Sequence, residues 1–244
     1  MITPAATRRS VAKGAAWAAP ALTVVAVAAP VAASGCATPT GSQGSFTTLQ
    51  GTTATGTGGA NWRKPVSSPF TGTTSAAVVD NDNGTVSSST TNYLIQQTTY
   101  TFTGATAGTT YTFTYSVHGR YGNNCYPVGY SQSAVVKVNG VQDGYFQTRT
   151  PTVTMPSGAA TGSATTLASS SSTTSCGSGT SWGAATTRTV TIVAPANGTI
   201  TFQMTYYVQP RVCGTYSGSR TCAGTAITPS DDIAITQPAF VSCG

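Results

Sequence analysis

The strongest constraint on the fold is a regular alternation of apolar and hydroxylic side chains. Along 111–117, aromatic or aliphatic residues alternate with Thr or Ser at every position. Successive side chains of a β-strand point to opposite faces, so this strand has one apolar and one hydroxylic face. The same period of two recurs along the chain, while helical periodicity is almost absent. The other candidate strands are 46–49, 76–79, 93–95, 100–102, 134–138, 145–150, 190–192, 200–206 and 233–236.

Turn sequences between these strands predict three hairpins. Ala196-Asn197-Gly198 predicts a type I′ turn between 190–192 and 200–206. Asn139-Gly140 after 134–138, and Asp82-Asn83-Gly84 after 76–79, predict two more. Many short strands at close spacing indicate an all-β protein, an antiparallel, jelly-roll-like β-sandwich stabilised by disulfides.

The first residues have the layout of a signal peptide. A basic segment, Thr7 to Lys13, precedes an Ala-rich apolar run that Pro20 interrupts and that is too weak for a membrane span. Its order Thr-Arg-Arg-Ser-Val-Ala-Lys is similar to twin-arginine export signals, notably those of actinobacterial exported proteins, although general secretion stays open. We expect cleavage after residue 33. The remainder, 34–244, is then a single β-sandwich domain with a Gly/Ser/Thr-rich insertion at about 156–183.

Charge is scarce in the exported part. The chain has a net charge of +6, no glutamate and five acidic residues. Cleavage would remove Arg8, Arg9 and Lys13 and leave a net charge of about +3 on residues that do not cluster. We therefore expect no nucleic-acid partner. A Thr- and Ser-rich surface with many tyrosines suits an extracellular β protein rather than a disordered chain.

All six cysteines follow the signal peptide, and an even number in an exported chain indicates disulfides. We expect Cys213 to pair with Cys222 around a polar loop tip, and Cys36 with Cys243 to join the two ends. Cys125 and Cys176 then remain for the third bridge. An alternative is that Ala33-Ser34-Gly35-Cys36 is a lipobox and Cys36 is lipidated. No hydrophobic tail follows Cys243, so no transmembrane segment is expected in the mature chain.

The last third of the chain resembles the closing half of galactose-binding-like jelly rolls, the β-sandwich modules common in secreted carbohydrate-binding proteins. The resemblance rests on a Trp182-containing loop, the hairpin sequence 188–202 and the final strand Ser230 to Ile235. It implies a sugar site on an aromatic-lined face or loop edge and a Ca²⁺ between an early loop and the last strand. The first loop of this chain has no acidic cluster, which departs from that pattern.

Two segments combine aromatic rings with planar polar groups, the mixture that sugars require. One is Asn61-Trp62-Arg63 and the other is the loop that follows His118. Packing over a disulfide or capping of the sandwich is the competing interpretation of these aromatics. The ligand-binding candidates are Trp62, Arg63, Arg120, Tyr121, Asn124, Tyr126 and Trp182.

A cofactor is not expected, and Ca²⁺ is the one candidate ion. Asp80-Asn81-Asp82 places oxygen ligands at alternate positions, as calcium loops do, but the downstream Glu of an EF-hand is absent. Asp231 is a candidate from the last strand. A solvated hairpin turn explains the same sequence without an ion.

No catalytic constellation emerges, and we expect a non-enzymatic protein. Gly179 to Gly183 matches the GxSxG motif but lacks its strand-before, helix-after context. His118, the only histidine, ends a predicted strand and is expected to form a hydrogen bond in a loop. Asp231 and Asp232 are neighbours on a strand, so their side chains point to opposite faces and cannot form a glycosidase pair.

Two functions are therefore expected from the sequence. The first is a secreted or cell-surface protein that binds a polysaccharide or cell-envelope glycan through loop aromatics. The second is a structural or adhesive protein that self-assembles or binds a protein partner through exposed strands, since little charge opposes strand pairing.

Overall fold

The computed structural model describes residues 35–51, 59–65, 70, 75–79, 93–121, 131–151, 153–168, 182–209 and 231–244. The predicted signal peptide, the pairs Cys125–Cys176 and Cys213–Cys222, and the candidates Asp80, Asp82, Asn124 and Tyr126 lie outside these ranges. Residues Cys36–Gly244 belong to one compact unit. In the described ranges, no helix is long and apolar enough to cross a membrane.

The described structure is all-β, as the alternation predicts. Its strands are β1 Thr40–Gln43, β2 Thr47–Gln50, β3 Ala60–Arg63, β4 Ala76–Val79, β5 Leu94–Thr103, β6 Thr110–Tyr121, β7 Gln132–Val138, β8 Val141–Gln147, β9 Thr165–Thr166, β10 Thr186–Val193, β11 Ile200–Val208, β12 Asp231–Thr236 and β13 Ala239–Cys243.

The strands form two mostly antiparallel sheets that pack as a sandwich. Sheet 1 has the order β1-β5-β11-β7-β8-β9, with β2 also paired to β5. Sheet 2 has the order β10-β6-β12-β4-β3, with β13 also paired to β6. Numbered along the chain, the eight strands β4 to β8 and β10 to β12 lie in the orders 1-8-3-6 and 2-7-4-5, which is the jelly roll. The predicted fold class is confirmed.

At two places, one long strand is flanked on one side by two shorter strands. β1 and β2 lie end to end along β5, and β12 and β13 lie end to end along β6. Pro238 lies between β12 and β13 and has no N–H to donate to a ladder. The short strands β1, β3, β9 and β13, of two to five residues, were not predicted, because so few residues carry little alternation.

The sandwich core consists of the alternate residues of both sheets. Phe102 of β5 and Phe202 of β11 face Phe113 of β6, with ring centroids 4.5 Å and 5.4 Å from that of Phe113. All three side chains are buried. Tilted and edge-to-face aromatic pairs of this kind contribute about 0.5–1.5 kcal/mol each beyond their buried area.

Two of the three predicted hairpins are wrong. β10 pairs with β6 in sheet 2 while β11 pairs with β5 and β7 in sheet 1, so the chain crosses between sheets at 194–199. The turn there has Gly198 at φ 64° and a hydrogen bond from Gly198 N–H to Pro195 O, and Asn197 lacks the positive φ of a type I′ turn. The β4 hairpin is also wrong because β3 and β12 occupy both edges of β4.

The hairpin at Asn139-Gly140 is confirmed. Asn139 has φ 47° and Gly140 has φ 82°, the two left-handed residues that a type I′ turn requires. The turn joins β7 to β8. Sequence reasoning succeeds here because both strands are neighbours in the chain and in the sheet.

The jelly-roll order separates two ends of the sandwich. At the turn end, short turns at 104–109, 139–140 and 194–199 connect the strands. At the opposite end, which we name the loop end, β4, β6, β8 and β11 finish and β5, β7, β10 and β12 begin. The chain between these strands therefore leaves and re-enters the sandwich at the loop end.

The predicted disulfide between Cys36 and Cys243 is confirmed, with the two Cα atoms 6.3 Å apart. It lies at the turn end, where Cys243 is opposite Tyr111 at the start of β6. A sulfur in this disulfide cannot carry a lipid, so the structure opposes the lipobox alternative. The bond joins β13 to the segment before β1.

We expect replacement of both Cys36 and Cys243 by Ser to lower the free energy of unfolding by roughly 2–5 kcal/mol, because a long covalent loop restricts the unfolded chain. Urea denaturation of the oxidised protein and of the double variant measures the difference. Equal unfolding free energies would show that the bridge does not restrain the two ends.

Candidate functional site

The outward face of sheet 2 carries a cluster of charged and aromatic side chains near the loop end. Alternation places His118 and Arg120 of β6, and Asp232 and Ala234 of β12, on this face, because the adjacent residues Val117 and Ile233 are buried in the core. Phe70 and Trp182 cover the same face. We name Phe70, His118, Arg120, Trp182 and Asp232 the outer cluster.

An ion pair forms the charged part of the outer cluster. The Nε and Nη2 atoms of Arg120 lie 2.7 Å and 2.6 Å from Oδ2 of Asp232. The Asp232 side chain is buried, whereas that of Arg120 is 26% exposed. Since β6 and β12 place the two residues directly opposite one another, backbone pairing sets the geometry of the ion pair.

The Arg120 guanidinium also lies over an aromatic ring. Its Cζ atom is 5.4 Å from the centroid of Trp182, within the range of a cation–π interaction. Phe70 packs edge-on against Trp182, with centroids 5.6 Å apart. The guanidinium is therefore held in one plane by a carboxylate and an indole.

Trp182 reaches this position because the chain passes close to β6. Gly183 N–H donates to Gly119 O at 2.7 Å. A Cβ atom at Gly183 would lie 2.1 Å from Ala168 O, which leaves no room for any side chain. Trp182 itself is 6% exposed, so it is a packed component of the cluster.

His118 is a buried member of the outer cluster. Its Nδ1 lies 3.1 Å from Gly183 O, and its ring centroid is 4.5 Å from that of Phe70. Because a carbonyl oxygen only accepts, Nδ1 carries the proton. Burial lowers the pKa of His118 below 6.5, outweighing the carbonyl bond that favours the charged form. The prediction that His118 ends its strand is wrong, since β6 continues to Tyr121.

A second polar cluster links β8 of sheet 1 to β6 and β10 of sheet 2. A bulge in β8 separates the pairs Val136–Gly144 and Lys137–Gln142 and leaves Asp143 without an opposite residue. Asp143 Oδ2 accepts from the Tyr115 hydroxyl at 2.5 Å and lies 3.5 Å from Arg188 Nε. Burial and the Asp143 carboxylate raise the pKa of Tyr115. This cluster joins β6, β8 and β10.

The structure places two ligand candidates together and separates another. Arg120 and Trp182 share the outer cluster. Trp62 lies on the other face of sheet 2, opposite the core residue Ala77 in the β3–β4 register. Its Nε1 donates to Gly44 O at 2.8 Å and to Thr98 Oγ1 at 3.1 Å.

The remaining candidates are less informative. Arg63 lies on the outward face of β3, at the edge of sheet 2. Tyr121 and Asp231 are opposite one another in the β6–β12 register. In the described ranges, no group of three or more His, Cys, Asp or Glu side chains is arranged to hold a metal ion.

Three members of the outer cluster were not predicted as part of a site. Alternation places Asp232 and His118 on outward faces, but it does not reveal that β6 and β12 are neighbours. Phe70 lies outside any strand, and no pattern in the sequence indicates its contact with Trp182. Strand pairing between distant segments is the information that the sequence lacks.

Two comparisons with known proteins found no match. No protein-family model matches the chain, and no curated sequence is significantly similar to it. The fold therefore defines its class, a disulfide-linked jelly-roll β-sandwich.

We expect the unfolding free energy to decrease as the pH falls below about 6.5, because the unfolded chain protonates His118 more readily than the buried side chain does. The contribution approaches at most about 1.4 kcal/mol per pH unit. Denaturant titrations at pH 7.5 and pH 5 on the wild type and the H118Q variant measure it. The wild type should lose more stability than H118Q over this interval; equal losses would assign the pH dependence to other groups.

Proposed function

We propose that this chain is an exported, non-enzymatic jelly-roll protein that binds glycan at its loop end. The proposal is supported by the strand order, which brings the described residues on either side of 80–92, 122–130, 169–181 and 210–230 to one end of the sandwich. Segments that connect rigid elements carry binding residues more often than the elements themselves.

The observation that carries the proposal is the position of Arg120. Arg120 lies two residues before 122–130, the segment that contains the candidates Asn124 and Tyr126. Asp232 and Trp182 hold its guanidinium in one plane. Sugar hydroxyls bind planar polar groups, and sugar C–H faces stack on aromatic rings. A guanidinium fixed in one plane would supply such a planar polar group, and the sequence of 122–130 contains tyrosine and asparagine.

The contacts of the ionisable side chains support a non-enzymatic role. Asp232 binds Arg120, Asp143 binds Tyr115 and Arg188, and His118 donates to a carbonyl. A general acid or base needs a proton that it can exchange with a substrate. These groups instead hold strands and sheets together.

The proposal that the chain is exported rests on its sequence and its disulfide. The basic, Ala-rich N-terminal segment has the layout of a signal peptide. Disulfides such as Cys36–Cys243 persist in oxidising compartments outside the cytoplasm. The protein would then act at the cell surface or in the medium.

Self-assembly through an exposed strand is the second candidate function, and β10 favours it. Among the described strands, β10 is the outermost one of sheet 2 on its side. It is regular and rich in Thr, Val and Ile, and its charged residue, Arg188, is paired with Asp143. Long, regular edge strands without charges facing the gap are templates for pairing with another chain.

The glycan proposal predicts that Tyr126→Ala lowers the fraction of protein that co-sediments with insoluble polysaccharides or isolated cell walls. Loss of one stacking residue should weaken binding by roughly twofold to tenfold, since aromatic contacts contribute about 0.5–1.5 kcal/mol beyond their buried area. Sedimentation of the purified, oxidised protein over a range of polysaccharide concentrations gives the change.

Val141→Ala is the matched control. Val141 is 71% exposed and belongs to the turn-end hairpin, so its loss removes apolar surface far from the loop end. The control should bind as the wild type does. If no polysaccharide or cell wall retains the wild type, and the protein assembles as its concentration rises, the glycan proposal fails and self-assembly replaces it.

A further inference from the structure

A row of polar side chains crosses the outward face of sheet 1, on the opposite side of the sandwich from the outer cluster. In the strand register, Thr99 of β5 is opposite Gln203 of β11, Gln203 is opposite Lys137 of β7, and Lys137 is opposite Gln142 of β8. We name these four residues the polar strip. Neighbouring strands are about 4.8 Å apart, so the strip extends over about 14 Å.

The middle of the polar strip has unused hydrogen-bonding capacity. Lys137 and Gln203 are half-buried. Within the part of the chain that the structure describes, neither side chain has a hydrogen-bond or ion-pair partner. An ammonium group and an amide at the centre of a sheet, flanked by Thr99, can therefore donate to and accept from a ligand.

The flanks of the polar strip are held in place. Gln142 Nε2 donates to Thr161 O, and Gln142 Oε1 accepts from Thr161 N–H, each at 2.8 Å. In the next row of the sheet, Gln97 Nε2 donates to Thr205 Oγ1 at 2.9 Å. These bonds fix two amide groups around the central pair, which lowers the conformational entropy that binding must remove.

A covered apolar patch borders the strip on one side. Val135 and Tyr207, on the same face, pack under Ala159, and Val153 and Met155 pack against this patch. The segment 153–160 thus rises above the sheet beside the strip. A ligand chain bound along the strip would cross the strands at a right angle, and the segment 153–160 would lie along one side of it.

We infer that the polar strip binds an extended polysaccharide that carries carboxylate groups, with Lys137 contacting a carboxylate and Gln203 contacting neighbouring hydroxyls. The inference rests on the proposed glycan-binding function but concerns a second surface and names the class of glycan. Among the outward-facing side chains of these four strands, Lys137 is the charged one, so the strip favours an anionic group over a neutral one.

The shape of the strip favours an extended chain as the ligand. Its side chains repeat from strand to strand at a distance similar to the length of one hexose unit. The surface lacks an exposed aromatic ring or apolar patch among its four residues, so neither a lipid surface nor an apolar peptide finds a complementary contact there. Amides, hydroxyls and one ammonium match the groups of a uronic acid-containing polymer.

The experiment compares two variants that remove the same charge at different places, K137Q and K64Q. Lys64 is exposed and follows β3 of sheet 2, so K64Q reproduces the loss of net charge outside the strip. Binding of the purified, oxidised protein to polygalacturonate and to neutral dextran is measured by affinity electrophoresis at two salt concentrations. Near-ultraviolet circular dichroism checks that each variant is folded.

We expect K137Q to weaken binding to polygalacturonate by roughly tenfold or more, because it removes a charge-assisted contact. K64Q should change the affinity by less than about twofold, as expected for a screened surface charge. A second variant, Q203A, should weaken binding by roughly threefold to tenfold through the loss of an amide hydrogen bond.

Three results would overturn the inference. K137Q could bind polygalacturonate as the wild type does, K64Q could lose as much affinity as K137Q, or the wild type could bind dextran as tightly as polygalacturonate. In these cases the glycan proposal at the loop end stands. A wild type that binds no polysaccharide, neutral or acidic, soluble or insoluble, removes the proposed function and the inference together.

Discussion

The structure depends on the aromatic contact between its two sheets. Phe113 of sheet 2 packs between Phe102 and Phe202 of sheet 1, and Tyr115 and Phe146 extend the same layer. With little charge available, this layer and its neighbours provide the apolar burial that offsets the entropy of ordering the chain. Tyrosine suits such a core when its hydroxyl finds a partner, as when Tyr206 donates to Ala77 O at 2.8 Å across the sandwich.

Four charged side chains of the described residues form ion pairs at contacts between strands. Asp232 and Arg120 join β12 to β6 beneath Trp182. Asp143 and Arg188 join β8 of sheet 1 to β10 of sheet 2. Both of these carboxylates form an ion pair with a guanidinium, so neither is buried without a compensating charge. Lys137 differs from these residues because its side chain has no hydrogen-bond or ion-pair partner among the described residues. That difference is the reason to assign Lys137 a role in binding.

The alternation of side chains predicted the fold class and nine of the thirteen described strands as wholes or parts, and the positions of the cysteines predicted the Cys36–Cys243 bridge. The alternation predicted two separate strands, 93–95 and 100–102. The structure has one strand, Leu94–Thr103, that continues through the polar residues between them. The alternation also placed β10 and β11 in one hairpin, because Asn-Gly at 197–198 is compatible with a crossover as well as a hairpin. Arg120 and Trp182 were proposed for their chemistry, whereas their partner Asp232 depends on a pairing between distant strands.

The most direct test of the account is a map of backbone amide shifts as isotope-labelled, oxidised protein is titrated with soluble fragments of an acidic polysaccharide. The account predicts shifts at the loop end, around Arg120 and Trp182, and along the polar strip at Gln203 and Lys137, with the turn at Asn139-Gly140 unchanged. Absence of any shift would contradict the account, and changes confined to β10 that grow with protein concentration would indicate self-assembly instead.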